Sequence, residues 1–229
     1  MGHDDNKICV DDFLFLSAFD LSDDPFKDVD FDGIVGLGFS ELSLSKESNF
    51  LANLLNTKKI SNKIFTFYFK KNFFPLRYEK EIYKKYRMHY NYEKKFEENL
   101  SELVIGGIDF NRIQGEIYFI DIISKKYWEV KLDNIYYGRT KLPFCANKEC
   151  TAIIDTGTST LGVSDNFIRI FEKLTNLNKD CSNLKTLRPL IFEIGGVFFE
   201  LDPKDYVLKL KINGMNNVEY MIPDPDDEK

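Results

Sequence analysis

The chain has little histidine and no excess of positive charge, and each shortage removes a class of function. The two histidines, His3 and His89, do not lie at ligand spacing to any cysteine pair, which argues against a zinc site. A formal net charge of -6 provides no basic face for nucleic acid. We therefore expect no metal, no cofactor and no nucleic-acid partner.

Long apolar stretches are also missing from the sequence. No run reaches the roughly 18 apolar residues that a membrane span needs, so we expect no span in this segment. The charged start of the chain lacks the apolar part of a signal peptide, so a secretory protein would carry its targeting segment elsewhere. With 43% hydrophobic residues, the 229-residue chain can still form a packed core.

Cysteine is scarce as well, with four in the chain. Cys145 and Cys150 are close enough in sequence for a small disulfide loop, although two independent free thiols would show the same spacing. A disulfide would indicate an oxidising compartment. Cys9 and Cys181 could pair with each other or with cysteines outside this chain.

The hydrophobic pattern is typical of a mostly β protein with two short helices. Apolar residues at helical spacing predict helices over 45–56 and 165–177. The second helix would have Ser164 as its N-cap and an apolar stripe of Phe167, Ile168, Phe171 and Leu174. Short apolar or alternating segments between turns predict strands over 8–19, 64–70, 103–107, 115–120, 127–132, 190–194, 197–201 and 206–212.

Two further segments differ from this pattern. Residues 31–38 form an apolar run with three glycines, which indicates close backbone approach rather than an ordinary strand. Residues 71–99 are dense in Lys, Glu and Tyr and contain no glycine, which is typical of a charged surface insertion.

The most specific motif is the segment 153–159, in which an apolar strand leads to Asp155 and then to a turn at Gly157. The glycine lets the backbone turn tightly and lets a substrate approach. Three neighbouring hydroxyls can support the loop or hydrogen-bond the carboxylate, those of Thr156, Thr158 and Ser159. This chemistry suits peptide hydrolysis by two carboxylates that share one proton, one acting as base toward water and the other donating to the scissile carbonyl.

With these residues in view, the chain resembles the pepsin-like family of aspartic proteases. Five segments occur in the family's order: 31–38, the double-glycine strand 103–109, the Tyr-Trp segment 127–133, the Cys145 and Cys150 pair, and 153–159. The resemblance implies a bilobal, mostly β acid-protease fold, present in part. Residues 1–108 would be the C-terminal part of the N-lobe, with the insertion at about 71–99, and residues 109–229 the N-terminal part of the C-lobe. The Lys, Asn, Ile and Tyr bias is further similar to plasmepsins of malaria-type parasites.

The resemblance also implies roles for single residues. Asp155 would be the second catalytic aspartate of an aspartic-type endopeptidase that cleaves polypeptides in an acidic vesicle, a vacuole or the extracellular space. The non-primed substrate pockets would be lined by Phe31 and Ile34. The C-lobe would contact the peptide through Tyr127, Ile153, Thr158 and Ser159. The cysteine pair would form the small disulfide that precedes the second catalytic motif.

The departures from the family are as informative as the matches. No second Asp-Thr-Gly and no Asp-Ser-Gly occurs, and Asp32 lies in an Asp-Gly-Ile context that does not replace them. The family's flap tyrosine and the C-lobe's own hydrophobic-hydrophobic-Gly element are not found either. We therefore expect this chain to be an incomplete gene model or part of a longer or nicked protease. Without the missing remainder, which is its expected partner, we predict a poorly stable chain without peptidase activity.

Three other interpretations stay open at this point. A non-catalytic pepsin-like protein would use its groove for binding, and the residue at the first catalytic site would distinguish it from an enzyme. A homodimer would supply two copies of Asp155 by symmetry, although the motif lies far from the chain start, unlike in short dimeric proteases. A β domain without a catalytic role would have to account for five family segments in order.

Overall fold

The computed structural model describes residues 9–20, 22, 31–69, 101–146, 149–158, 160–212 and 215–220. The chain divides into two compact units. The first comprises Met1–Leu37 with Leu44–Glu116, and the second comprises Gly38–Ser43 with Ile117–Lys229. The predicted insertion at 71–99 lies outside the described residues, and the assignment of 1–108 and 109–229 to two lobes stays a prediction.

The first unit contains one helix among its described residues. Helix α1, Phe50–Asn56, begins after Asn49, whose side-chain oxygen accepts a hydrogen bond from Ala52 N at 2.8 Å. Because this cap defines where the helix starts, the helix is shorter than the predicted 45–56. The residues before it form a separate 3₁₀ turn, Lys46–Ser48.

The first unit also contains a strand pair. Strand β1, Phe65–Tyr68, pairs antiparallel with β2, Glu102–Ile105. Strand β1 lies within the predicted segment 64–70, and β2 overlaps the predicted segment 103–107 but begins one residue before it. Arg112, which follows β2 in the chain, contacts both strands of this pair. Its guanidinium carbon lies 4.7 Å from the centroid of the Tyr68 ring, and its Nε lies 3.5 Å from a Glu102 carboxylate oxygen.

Of the predictions for two apolar segments early in the chain, one is wrong and the other agrees with the structure. The prediction of a strand over 8–19 is wrong for the described residues, 9–19, which form no strand and expose large side chains such as Phe19. The glycine-punctuated run 31–38 is irregular, in agreement with its glycine content, and Ile34 is 76% exposed.

The second unit holds the larger part of the sheet structure. Its strands are β3 Glu129–Leu132, β4 Asn134–Tyr137, β5 Thr140–Lys141, β6 Cys150–Ile153, β7 Leu190–Ile194, β8 Val197–Leu201, β9 Val207–Ile212 and β10 Met215–Tyr220. Four of them form an antiparallel sheet in the order β5–β4–β7–β8, while β3 pairs with β6 and β9 pairs with β10. Its helices are α2 Asp165–Thr175 and α3 Pro203–Tyr206.

One apolar cluster joins the four-stranded sheet to helix α2. Along β4, Ile135 and Tyr137 are buried in this cluster while their neighbours are less buried, as the alternation of a strand requires. Phe171 of α2 is 1% exposed, and its ring packs edge-on against Tyr137 and Tyr206. The unit therefore has a core of its own.

Helix α2 agrees with its sequence pattern in most respects. Ser164 caps it, with its hydroxyl accepting a hydrogen bond from Phe167 N at 3.4 Å. The first three stripe residues are buried. The fourth, Leu174, lies in the last helical turn and is 42% exposed, so its predicted burial is wrong.

The prediction of a strand over 115–120 is wrong. These residues form no strand, and Phe119 is largely exposed; the nearest pairing is an isolated bridge between Ile122 and Val130. Helix α3 was missed, although Pro at its first position after Asp202 is a common start signal. The mostly β fold class is confirmed. None of the helices in the described ranges has the length and apolar character that crossing a membrane requires.

Candidate active site

Asp155 lies two residues after Ile153, the last residue of strand β6. In the β3–β6 pair Glu129 lies opposite Ile153, and the pairing continues one residue further, because Ile154 N donates to Trp128 O at 2.9 Å. Asp155 therefore comes immediately after the last hydrogen-bonded residue of this pairing, Ile154. The pairing of β6 with β3 thus positions the backbone that leads into Asp155.

Both oxygens of the Asp155 carboxylate accept hydrogen bonds from the turn that follows. The backbone N–H of Gly157 donates to Oδ1 at 2.8 Å, and the hydroxyl of Thr158 donates to Oδ2 at 2.6 Å. The Thr158 N–H also donates to the carbonyl of Asp155 at 3.4 Å. Holding both oxygens fixes the plane of the carboxylate.

These hydrogen bonds also decide the protonation of the carboxyl group. The Thr158 hydroxyl, followed by the Gly157 N–H, holds the pKa of Asp155 below its ordinary value, because donors stabilise the ionised form. Slight desolvation acts in the opposite direction. At neutral and mildly acidic pH the group is an oriented carboxylate, which is able to accept a proton from water.

The Gly157 N–H was not predicted as a donor, although the sequence contains its signal. A carboxylate that accepts from the backbone two residues on forms an Asx turn, which aspartate followed by glycine at that distance favours. Glycine also fits for reasons of space, since a Cβ at this position would lie 3.2 Å from Asp155 Oδ1. Of the three hydroxyls predicted around the carboxylate, that of Thr158 makes the hydrogen bond, and Ser159 lies outside the described residues.

The residues predicted to contact substrate fall into two groups. Ile153 ends β6, and Tyr127 precedes the Trp128 that pairs with Ile154, so both lie close to Asp155 along the ladder, and both are exposed. Phe31 and Ile34 belong to the first unit and are exposed there. The structure thus brings Tyr127, Ile153 and Thr158 to the Asp155 turn, while Ser159 lies outside the described residues. The role of all six residues in substrate binding stays a prediction.

A disulfide joins Cys145 to Cys150, with 5.5 Å between the Cα atoms. It links the loop after β5 to the first residue of β6, the strand that carries Asp155. Cys9 is a free, exposed thiol, and Cys181 is free and buried. Within the part of the chain that the structure describes, no group of three or more His, Cys, Asp or Glu side chains could hold a metal ion.

Sequence comparison gives the site its context. Residues 6–75 and 79–227 match the family described as eukaryotic aspartyl protease. The chain is 30% identical to plasmepsin VI of Plasmodium berghei over 210 residues, covering 86% of this chain and 42% of that protein. It is 27% identical to pepsin B of Canis lupus familiaris, covering 88% and 48%, and 27% identical to cathepsin D of Rattus norvegicus, covering 80% and 41%.

The chain therefore spans less than half the length of each of these relatives, while nearly all of the chain takes part in the family match. The match includes the Asp155 turn, whose carboxylate is ionised and held by two donors. By this evidence the chain belongs to the eukaryotic aspartyl protease family.

Proposed function

We propose that this chain is part of an aspartic-type endopeptidase and that Asp155 is one of its two catalytic aspartates. The observation that carries the proposal is the oriented carboxylate of Asp155, with hydrogen bonds on both oxygens, in a chain of the aspartyl protease family. Thr156, Gly157, Thr158 and Ser159 are the residues that we propose support it, and Gly157 and Thr158 donate hydrogen bonds to it.

The reaction needs two carboxyl groups that share one proton. The ionised carboxylate takes a proton from a bound water as its oxygen attacks the scissile carbonyl carbon, while the protonated partner donates to the carbonyl oxygen. The C–N bond then breaks as the carboxyl that took the water proton gives it to the amine nitrogen, and the partner carboxylate takes back a proton from a hydroxyl of the diol, which leaves a carboxylic acid and an amine as products. Two carboxylates at contact distance titrate as a unit, so the lowered pKa of Asp155 describes this half of the site before its partner is in place.

The second aspartate is proposed to come from the remainder of the protease. The sequence contains one Asp-Thr-Gly and no Asp-Ser-Gly, which supports the proposal that a single catalytic aspartate is present here. We expect the 229-residue chain alone to show no peptidase turnover for that reason.

The proposed substrate is a polypeptide that lies across the Asp155 turn. Exposed apolar side chains beside the turn, those of Tyr127 and Ile153, suit contact with substrate side chains. Thr158 and Ser159 would add polar contacts. Phe31 and Ile34 stay proposed lining residues of the non-primed substrate pockets.

The proposed location is the secretory pathway, an acidic vesicle or vacuole, or the extracellular space. The Cys145–Cys150 disulfide supports it, since disulfides persist in oxidising compartments.

The proposal is tested by changing Asp155→Asn in the longest natural polypeptide that contains this chain. With an internally quenched peptide at acidic pH, we expect kcat/KM to fall by at least about a thousandfold, because removing one member of a catalytic unit disables the rest. Asp121→Asn is the matched control, since Asp121 is an exposed carboxylate of the same unit. Undiminished turnover by the Asp155→Asn variant would refute the proposal.

A second candidate function is a non-catalytic peptide-binding module, which the single Asp-Thr-Gly favours. The same natural polypeptide distinguishes the two. Saturable peptide binding without any turnover, with an affinity that Asp155→Asn leaves unchanged, would indicate the binding module.

A further inference from the structure

The backbone before Asp155 is held through Trp128. The carbonyl of Trp128 accepts the hydrogen bond from Ile154 N at 2.9 Å, which is the contact nearest to the aspartate on this ladder. A shift of Trp128 along or away from β6 would therefore move Ile154 and, with it, the start of the Asp155 turn.

A side chain from a distant part of the sequence packs on Trp128. The ring of Phe39 lies 4.3 Å from the Trp128 ring, centroid to centroid, with 38° between the ring planes. Phe39 belongs to the short segment Gly38–Ser43, which is part of the second unit although its chain neighbours on both sides belong to the first. The Phe39 ring is thus part of the second unit, although it lies about 90 residues before Trp128 in the sequence.

The backbone around Trp128 is restrained at neighbouring points as well. Ile123 N donates to the carbonyl of Glu129 at 2.9 Å, and the Ser124 hydroxyl accepts from Tyr127 N at 3.4 Å. These contacts restrain the backbone on either side of Trp128, whereas Phe39 packs on the indole ring itself. The contact between the two rings is therefore suited to fix the position of the Trp128 indole ring.

Phe39 is not a member of the unit's core. It is half-buried, stands outside the cluster that contains Phe171 and Tyr206, and borders an open groove with Ile122 and Ser124. Removing part of its ring should therefore change the local placement of Trp128 without unfolding the unit.

We propose that Phe39 is a positioning residue, which packs on Trp128 and thereby fixes Ile154 and the Asp155 turn that follows. The catalytic meaning of this role rests on the proposed function, whereas the role in placing the backbone does not. A protease with a displaced aspartate would bind peptide normally and cleave it slowly.

The placement is tested on the 229-residue chain by amide hydrogen exchange in Phe39→Leu and Phe39→Tyr. We expect the Ile154 amide to exchange at least about tenfold faster in Phe39→Leu. Without the ring contact, the hydrogen bond from Ile154 N to Trp128 O should open locally at a lower free-energy cost. The Gly138 and Leu142 amides, bonded to Pro189 O and Ile135 O in the same unit, should stay within about twofold. Phe39→Tyr keeps the ring and should restore protection.

Tryptophan fluorescence gives a second reading, because Trp128 is the only tryptophan in the chain. Phe39→Leu should shift its emission, whereas the control Phe198→Leu, which removes an exposed ring from the β8 strand, should not. Unchanged protection at Ile154 in Phe39→Leu overturns the proposal. Equal loss of protection at Gly138 and Leu142 also overturns it, because Phe39 would then support the fold in general.

The catalytic consequence is measured in the full natural polypeptide. Phe39→Leu should lower kcat by about 10- to 100-fold with KM within about twofold, since a small displacement of a reacting group costs that much. A kcat that stays unchanged overturns the link to catalysis. If no version of the polypeptide cleaves peptide, the proposed function fails, and the exchange result at Ile154 still decides whether Phe39 places the strand.

Discussion

The two compact units bury apolar side chains very differently. In the second unit, the buried hydrophobic side chains form one cluster that reaches from Val130 to Val207 along the chain. Among the described residues of the first unit, the only buried hydrophobic side chain is Leu54, while Phe19 is fully exposed at 100%. The candidate aspartate belongs to the unit that has the core, so its strand is anchored by packing within that unit.

The difference originates in the local pattern of the two sequences. The second unit has a capped amphipathic helix and strands that alternate, and these features direct apolar side chains to one face. Two described apolar segments of the first unit, 9–19 and 31–37, are runs without such alternation and form neither helix nor strand. Apolar content alone did not produce a core there.

The largest expected effect tests the core of the second unit. Phe171→Ala should lower the free energy of unfolding by about 3–5 kcal/mol, because a fully buried aromatic ring leaves a cavity. Phe19→Ala in the first unit is the control and should change it by less than about 0.5 kcal/mol. Urea unfolding followed by circular dichroism measures both. Similar effects for the two variants would remove the contrast between the units.

A smaller effect is expected from the disulfide next to the Asp155 strand. Changing both Cys145 and Cys150 to Ser should lower the free energy of unfolding by about 2 kcal/mol, the value expected for so short a loop. Cys9→Ser removes an exposed free thiol of the first unit and should be neutral within about 0.5 kcal/mol. Urea unfolding under non-reducing conditions provides the comparison. A destabilising Cys9→Ser change would show that the first unit depends on its thiol.

The smallest effect on stability is expected at the Asp155 turn, which depends on local hydrogen bonds instead of either unit's core. Thr158→Val removes the donor to Oδ2, so the pKa of Asp155 should rise toward its ordinary value. A carboxylate whose pKa is lowered by folding adds stability above its unfolded pKa and loses it as the pH falls through the folded pKa. The variant should therefore be less stable than the wild type at pH values above the unfolded pKa of Asp155. At pH values below the folded pKa, the two proteins should be equally stable.

Titration of the Asp155 carboxyl carbon by NMR measures this shift directly. Thr160→Val, which changes a hydroxyl that follows the turn, serves as the control and should leave the titration unchanged. The stability difference should be small, because the exposed carboxylate is screened by solvent. A titration that is identical in Thr158→Val and the wild type would show that the hydroxyl does not determine the protonation of Asp155.

Much of the second unit was predictable because its signals are local. Ser164 and the apolar spacing predicted helix α2 to within two residues of its end, and the strands at 190–194 and 197–201 occur as predicted. The hydrogen bond from the Thr158 hydroxyl was also within reach, since it spans three residues. Cys145 and Cys150 are bonded as their spacing allowed.

Other predictions failed where a contact beyond the segment decides the outcome. Residues 115–120 have the apolar content of a strand, yet the described ladder pairs β3 with β6 and leaves them irregular. Helix α1 is shorter than predicted because Asn49 caps it and the preceding residues close a turn of their own. Propensity predicts what a segment can form, and pairing with the rest of the chain selects what it does form.

By itself, the sequence determined the turn that holds Asp155 and the amphipathic helix beneath the sheet. Both depend on hydrogen bonds or apolar spacing within a few residues, so chain geometry is sufficient to specify them. Only the tertiary structure decided that Trp128 supports Ile154 and that Phe39 packs on Trp128. Such contacts join segments that are far apart in the chain, and many alternative partners compete until the fold brings one pair together.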